Sequence, residues 1–154
     1  MKPLIVLLSV FAISLVVTKV LRGSFELAPS GRIAMSAMLL FTAVAHFAFT
    51  RGMAMMLPHF VPYKTETVYL TGFIEIFAAI GLFIPHFRVM TAWLLIAFFI
   101  LILPANIYAA INNVDYQKAN NNGNGLTYLW FRIPLQVLFI AWTYLSCIKP
   151  EHQT

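Results

Sequence analysis

Five side chains in this sequence could do chemistry, and all five stand inside long apolar runs: His46, Glu75, Asn106, Arg132 and Gln136. An ionisable group at the centre of a bilayer costs ~2.5–3.5 kcal/mol on insertion scales, so it is expected to face protein or water and to have a partner. Glu75 and Arg132 form the natural charged pair. Asn106 and Gln136 supply orienting amides, and the His46 imidazole can both donate and accept a proton. Together they could hold the polar head group of a small molecule. The competing reading is a fold-specifying network, in which Glu75 and Arg132 neutralise each other and the amides complete the hydrogen bonding. His46 and Glu75 lack the second ligand at helical spacing that a helical metal motif needs, so no metal site is expected. No residue is assigned a catalytic role. Cys147 is the single cysteine, which leaves no internal disulfide and no CxxC pair.

The elements that must position these groups follow from composition. Hydrophobic residues fill 61% of the 154 positions and charged residues only 10%, with a mean hydropathy of +0.84. A water-soluble domain of this size needs more charge than that to solvate its surface, so the expected solvent is the lipid bilayer. The net charge of +5 is spread over Lys19, Arg22, Arg32, Arg51, Lys64, Arg88 and Lys149, one or two at a time beside apolar runs. That pattern anchors helix ends at lipid headgroups and does not build a groove for nucleic acid.

A hydrocarbon core of ~30 Å takes ~20 helical residues. The apolar runs predict helices over about 3–21, 33–50, 68–85, 89–111 and 126–148, in one transmembrane domain spanning 1–154. Arg22-Gly23, Pro29-Ser30-Gly31, Arg51-Gly52, Pro58, Pro85-His86-Phe87-Arg88 and the Asn/Gly run 120–125 punctuate them. The first run resembles a signal peptide but is followed by Lys19 and Arg22 with no small-x-small cleavage site, so it is read as a retained, lipid-facing helix. Pro104 and Pro134 are expected to kink the last two helices and free carbonyls near Asn106 and Arg132. The apolar 53–63 connection, with three methionines, is expected to lie in the interface over the mouth of a pocket.

With five crossings, Lys19, Arg22, Arg32, Arg88 and Lys149 fall on one side and Lys2, Arg51, Lys64 and Lys118 on the other. The first side, which also holds the C-terminus, is thereby favoured as cytoplasmic. At 1.5 Å per residue, His46, Glu75, Asn106, Arg132 and Gln136 lie roughly 6, 10, 8, 9 and 15 Å from the opposite side. Four helices thus bring their polar residues to one half of the membrane. Arg132 and Gln136, four apart, share a face. Ser36, Ala43, His46 and Thr50 form one small-residue stripe, and Thr71, Gly72, Glu75, Ala78 and Ala79 another. Such stripes let helices approach closely, so the two are expected to face each other.

The order and spacing of several short motifs resemble the DoxX family of small bacterial membrane proteins, from about Arg32 to Tyr144. They are Gly31-Arg32 opening a helix that ends Ala45-His46-Phe47, then Leu70-Thr71-Gly72-Phe73-Ile74-Glu75 with Gly81-Leu82, then Pro104-Ala105-Asn106-Ile107, and Arg132-Ile133-Pro134-Leu135-Gln136 with Trp142. The resemblance implies an all-α transmembrane bundle with a four-helix core, to which the first helix is an addition. It implies the bacterial inner membrane, a cytoplasmic start for the second helix, and a pocket in the periplasmic half. Family members are linked to quinone-dependent sulfur oxidation, as thiosulfate:quinone oxidoreductase or terminal-oxidase subunits, or to complexes handling oxidative stress. Distant animal relatives act as receptor-assembly chaperones.

The expectation is therefore a membrane subunit that binds a quinone-like or other amphiphilic molecule through His46, Glu75, Asn106, Arg132 and Gln136. At most it is one subunit of a quinone-linked oxidoreductase, with membrane or periplasmic oxidoreductase subunits, or further copies of itself, as partners. The alternative is a non-catalytic scaffold or assembly factor. A solute carrier is disfavoured because the other halves of these helices lack polar groups.

Overall fold

The computed structural model describes residues 2–149. The expected placement of the C-terminus on the cytoplasmic side therefore falls outside the described residues. Seven α-helices follow one another: α1 (Lys2–Arg22), α2 (Leu27–Ala48), α3 (Thr50–Met55), α4 (Lys64–Gly81), α5 (Pro85–Leu101), α6 (Leu103–Ile111) and α7 (Thr127–Thr143). A π-helical turn, Tyr144–Ile148, continues α7. An isolated bridge between Asp115 and Asn120 is the one piece of β pairing among the described residues.

Four helical stretches are long and apolar enough to cross a membrane: Lys2–Arg22, Leu27–Ala48, Pro85–Ile111 and Thr127–Ile148. They cover four of the five predicted crossings. The fifth, α4, holds Lys64, Glu66 and Glu75 and is not among them.

Several boundaries differ from those read from sequence, and prolines are the reason. Pro29 reads in the sequence as part of a connection, but α2 already begins at Leu27, since proline is tolerated in a first helical turn where its missing donor has no partner. Gly31 is likewise inside α2. A Cβ there would lie 2.8 Å from that of Ser146, and the Trp142 indole donates to the Gly31 carbonyl at 3.1 Å. Glycine serves close approach here, not a turn. Pro85 opens α5 and does not close the preceding helix, which ends at Gly81.

Pro104 behaves as expected. It sits in the first turn of α6, and the long apolar stretch breaks at Ile102, because the ring cannot donate to the preceding turn. Pro134 lies inside α7, which runs from Thr127 to Thr143. The irregularity comes later, as the π-helical turn.

The core gathers Met35, Met38 and Leu39 of α2, Ala78 and Ala79 of α4, Leu95, Phe98 and Phe99 of α5, and Leu135 and Phe139 of α7. The two small-residue stripes meet as their spacing predicts. Ser36 donates to the Ala79 carbonyl at 3.0 Å, and a Cβ on Gly72 would lie 3.1 Å from that of His46. The helix α1 buries only Leu7 and Ser14. It lies along α2, and Phe11 meets Trp142 edge-on at 4.8 Å. The end of the molecule near Trp142 and Gly31 is packed with side chains, the buried Ser30, Thr143 and Ser146 among them, and His46, Glu75, Asn106, Arg132 and Gln136 lie toward the other.

Candidate functional site

At that other end, where α2 finishes and α4 and α7 begin, a cavity of about 370 Å³ opens between the helices. His46, Glu75, Asn106, Arg132 and Gln136 all line it. The five residues singled out by their presence in apolar runs, on four helices and up to 90 positions apart in sequence (46 to 136), therefore meet at one site. Met38, Phe41, Phe98, Phe99 and Phe139 supply much of the apolar wall.

Glu75 does not meet the partner expected from sequence. Its Oε2 lies 3.5 Å from His46 Nε2, and no ion pair with Arg132 forms among the described residues. The reason is helix packing: Gly72 brings α4 against α2 at His46, whereas Arg132 reaches the cavity from α7. The other ring nitrogen, Nδ1, is 3.1 Å from Thr71 Oγ1, which also lies 2.8 Å from the Val68 carbonyl oxygen. Thr71 has one hydroxyl proton to give. If it goes to Val68, the hydroxyl oxygen accepts from Nδ1–H. If it goes to Nδ1, Nε2–H faces the carboxylate. Either way His46 is oriented by Thr71 and directed at Glu75. Thr50 donates to the His46 carbonyl at 2.7 Å and secures the last turn of α2.

The amides divide. Gln136 donates through Nε2 to the carbonyl of Phe99 in the last turn of α5, close to the break that Pro104 introduces. It is anchored by the protein. Asn106 Nδ2 is buried and has no hydrogen-bond partner in the protein, and the same holds for Glu75 Oε2 and Arg132 Nε. The 3.5 Å approach of His46 Nε2 to Glu75 Oε2 is too long for a strong hydrogen bond. Buried polar atoms are almost always hydrogen-bonded, and each exception needs a reason.

The short helix α3 and the turn after it cover the mouth, as the apolar 53–63 segment predicts. Met53, Met56 and Leu57 line the cavity, Lys64 Nζ donates to the Leu57 carbonyl at 2.8 Å, and His59 meets Tyr108 edge-on at 5.8 Å. A second cover comes from the loop after α6. Phe49 contacts Tyr116 edge-on at 6.0 Å, and a Cβ on Gly52 would fall 1.8 Å from the Tyr116 carbonyl oxygen. Tyr116 and Gln117 reach the cavity, and Lys2 and Pro3 do so from α1. Sequence reading missed these because no periodicity links them to the site. It also missed Tyr128, for which a signal exists. Tyr128, Arg132 and Gln136 repeat at four-residue steps, the spacing of one helix face, and all three line the cavity. Among the described residues no group of three or more His, Cys, Asp or Glu side chains is arranged to hold a metal ion.

Fold and site together define an all-helical protein with membrane-crossing dimensions and a partly polar cavity at one end. The chain belongs to the family described as a domain of unknown function, DUF8561, whose model matches residues 35–147. That segment contains every polar residue of the predicted site and leaves α1 outside it. No curated protein and no solved structure matches the chain.

Proposed function

We propose that this chain is a DoxX-like integral membrane protein of the bacterial inner membrane, with α1 added to a four-helix transmembrane core. It binds a quinone-like or other amphiphilic small molecule between the helices and is accessory to a redox process. On this reading the cavity lies in the outer half of the bilayer, because Lys19, Arg22, Arg32, Arg88 and Lys149 weight the opposite end toward the cytoplasm. The motif resemblance supplies the quinone and the redox context, and membrane or periplasmic oxidoreductase subunits would be its partners.

One observation carries the binding reading over the scaffold reading. In a structural network, the polar atoms would satisfy one another. Here Glu75 Oε2, Asn106 Nδ2 and Arg132 Nε are buried without hydrogen-bond partners in the protein, and their residues line one cavity with an otherwise largely apolar wall. Such a site suits a ligand with a small polar head and an apolar body.

Native mass spectrometry of gently solubilised protein, with extraction and identification of what co-purifies, tests this directly. Wild type is expected to retain an amphiphile that folded His46→Ala and Glu75→Gln proteins lose. Wild-type protein free of any bound molecule would transfer support to the scaffold reading.

A further inference from the structure

Of the five buried side-chain atoms without a hydrogen-bond partner among the described residues, the three that line the cavity specify more than the presence of a ligand; Ser30 Oγ and Arg88 Nε lie away from it. Asn106 Nδ2 and Arg132 Nε are N–H donors, whereas Glu75 Oε2 is a carboxylate oxygen, beside which His46 stands at 3.5 Å. Gln136 Nε2 is already engaged by the Phe99 carbonyl. A head group that offers only acceptors would satisfy the two donors and leave the buried carboxylate oxygen facing another lone pair. One that offers a hydroxyl as well satisfies all three. The wall beside these groups carries Phe98, Phe99, Phe139 and Tyr128, which suit a flat aromatic ring.

We infer that the cavity selects a hydroxylated aromatic head group, of the alkylphenol or alkylhydroquinone class. The hydroxyl donates to Glu75 Oε2, and the ring oxygens accept from Asn106 and Arg132. Thr71 acts as a positioning residue by orienting His46 toward the same carboxylate. The inference rests on the ligand-binding reading above and deepens it. The preference follows from the asymmetry of hydrogen bonding: leaving a buried acceptor unmet weakens binding by roughly ten- to a hundredfold relative to a ligand that meets it.

The test is anaerobic calorimetric titration of the delipidated protein with three probes sharing one ring and one decyl chain: the hydroquinone, the quinone and the hydroquinone dimethyl ether. The hydroquinone is expected to bind at least tenfold more tightly than the other two. In Glu75→Gln the preference is expected to collapse, because the new amide can donate to a quinone carbonyl. Should that variant fail to fold, the ether on wild-type protein gives the same answer, since it keeps the shape and removes the donor. Equal binding of all three probes, or tighter binding of the quinone, overturns the hydroxyl selectivity while leaving an amphiphile site intact. Binding of none of them overturns the ligand-binding reading and this inference with it.

Discussion

His46 and Glu75 lie 3.5 Å apart across α2 and α4, and Thr71 is the third member of the arrangement. Because Thr71 contacts Nδ1 and leaves Nε2 to the carboxylate, its hydroxyl sets the ring orientation without closing the cavity. Thr71→Val keeps shape and volume but removes that contact. It is expected to preserve the fold and to weaken hydroquinone binding several-fold while leaving binding of the dimethyl ether unchanged. Calorimetric titration with the two probes checks it, and equal binding of the hydroquinone by variant and wild type would separate Thr71 from the site. The sequence made the five polar residues visible because each is out of place in an apolar run. It could not show which of them pair. The choice between His46 and Arg132 as partner to Glu75 depends on how closely α2 and α4 approach, a property of Gly72 and the stripe opposite it.

At the scale of elements, glycines set the close approaches that build the site. Gly72 lets α4 sit against His46 and Phe47, whose ring would be 3.3 Å from an added Cβ. Gly72→Val must separate the two helices, so it is expected to destabilise the protein by about 1–3 kcal/mol and to abolish amphiphile retention. Thermal or denaturant unfolding in detergent measures the first effect and mass spectrometry the second. Gly52 plays the same part between α3 and the loop after α6, where backbone meets backbone. Gly52→Ala should lift the Tyr116 segment, so trypsin should cut after exposed Lys118 faster than in wild type. Cleavage at the wild-type rate would mean that this contact does not hold the cover in place. Helix positions were legible from hydropathy, but their ends were not. Pro29 and Pro85 read as breaks in the sequence but stand in the first turns of α2 and α5, and Pro134 lies within α7. Proline marks where a donor is missing, and only tertiary context decides whether that matters.

For the whole molecule, the two ends differ in kind. One end is locked by Trp142, Gly31, Ser146 and Phe11, and the other holds a cavity under α3 and the loop that follows α6. On the proposed reading, the polar atoms in this cavity are kept for a ligand and do not hold the fold together. Proteins commonly bear a stability penalty at such sites, since an unmet buried polar atom costs about 1–3 kcal/mol. The most direct measurement is therefore the unfolding free energy of delipidated Asn106→Leu against delipidated wild type, with ligand retention followed in parallel. A variant more stable by about 1 kcal/mol that no longer retains the amphiphile is the predicted result. A variant less stable than wild type by a similar amount or more would contradict the account and make the cluster a structural one.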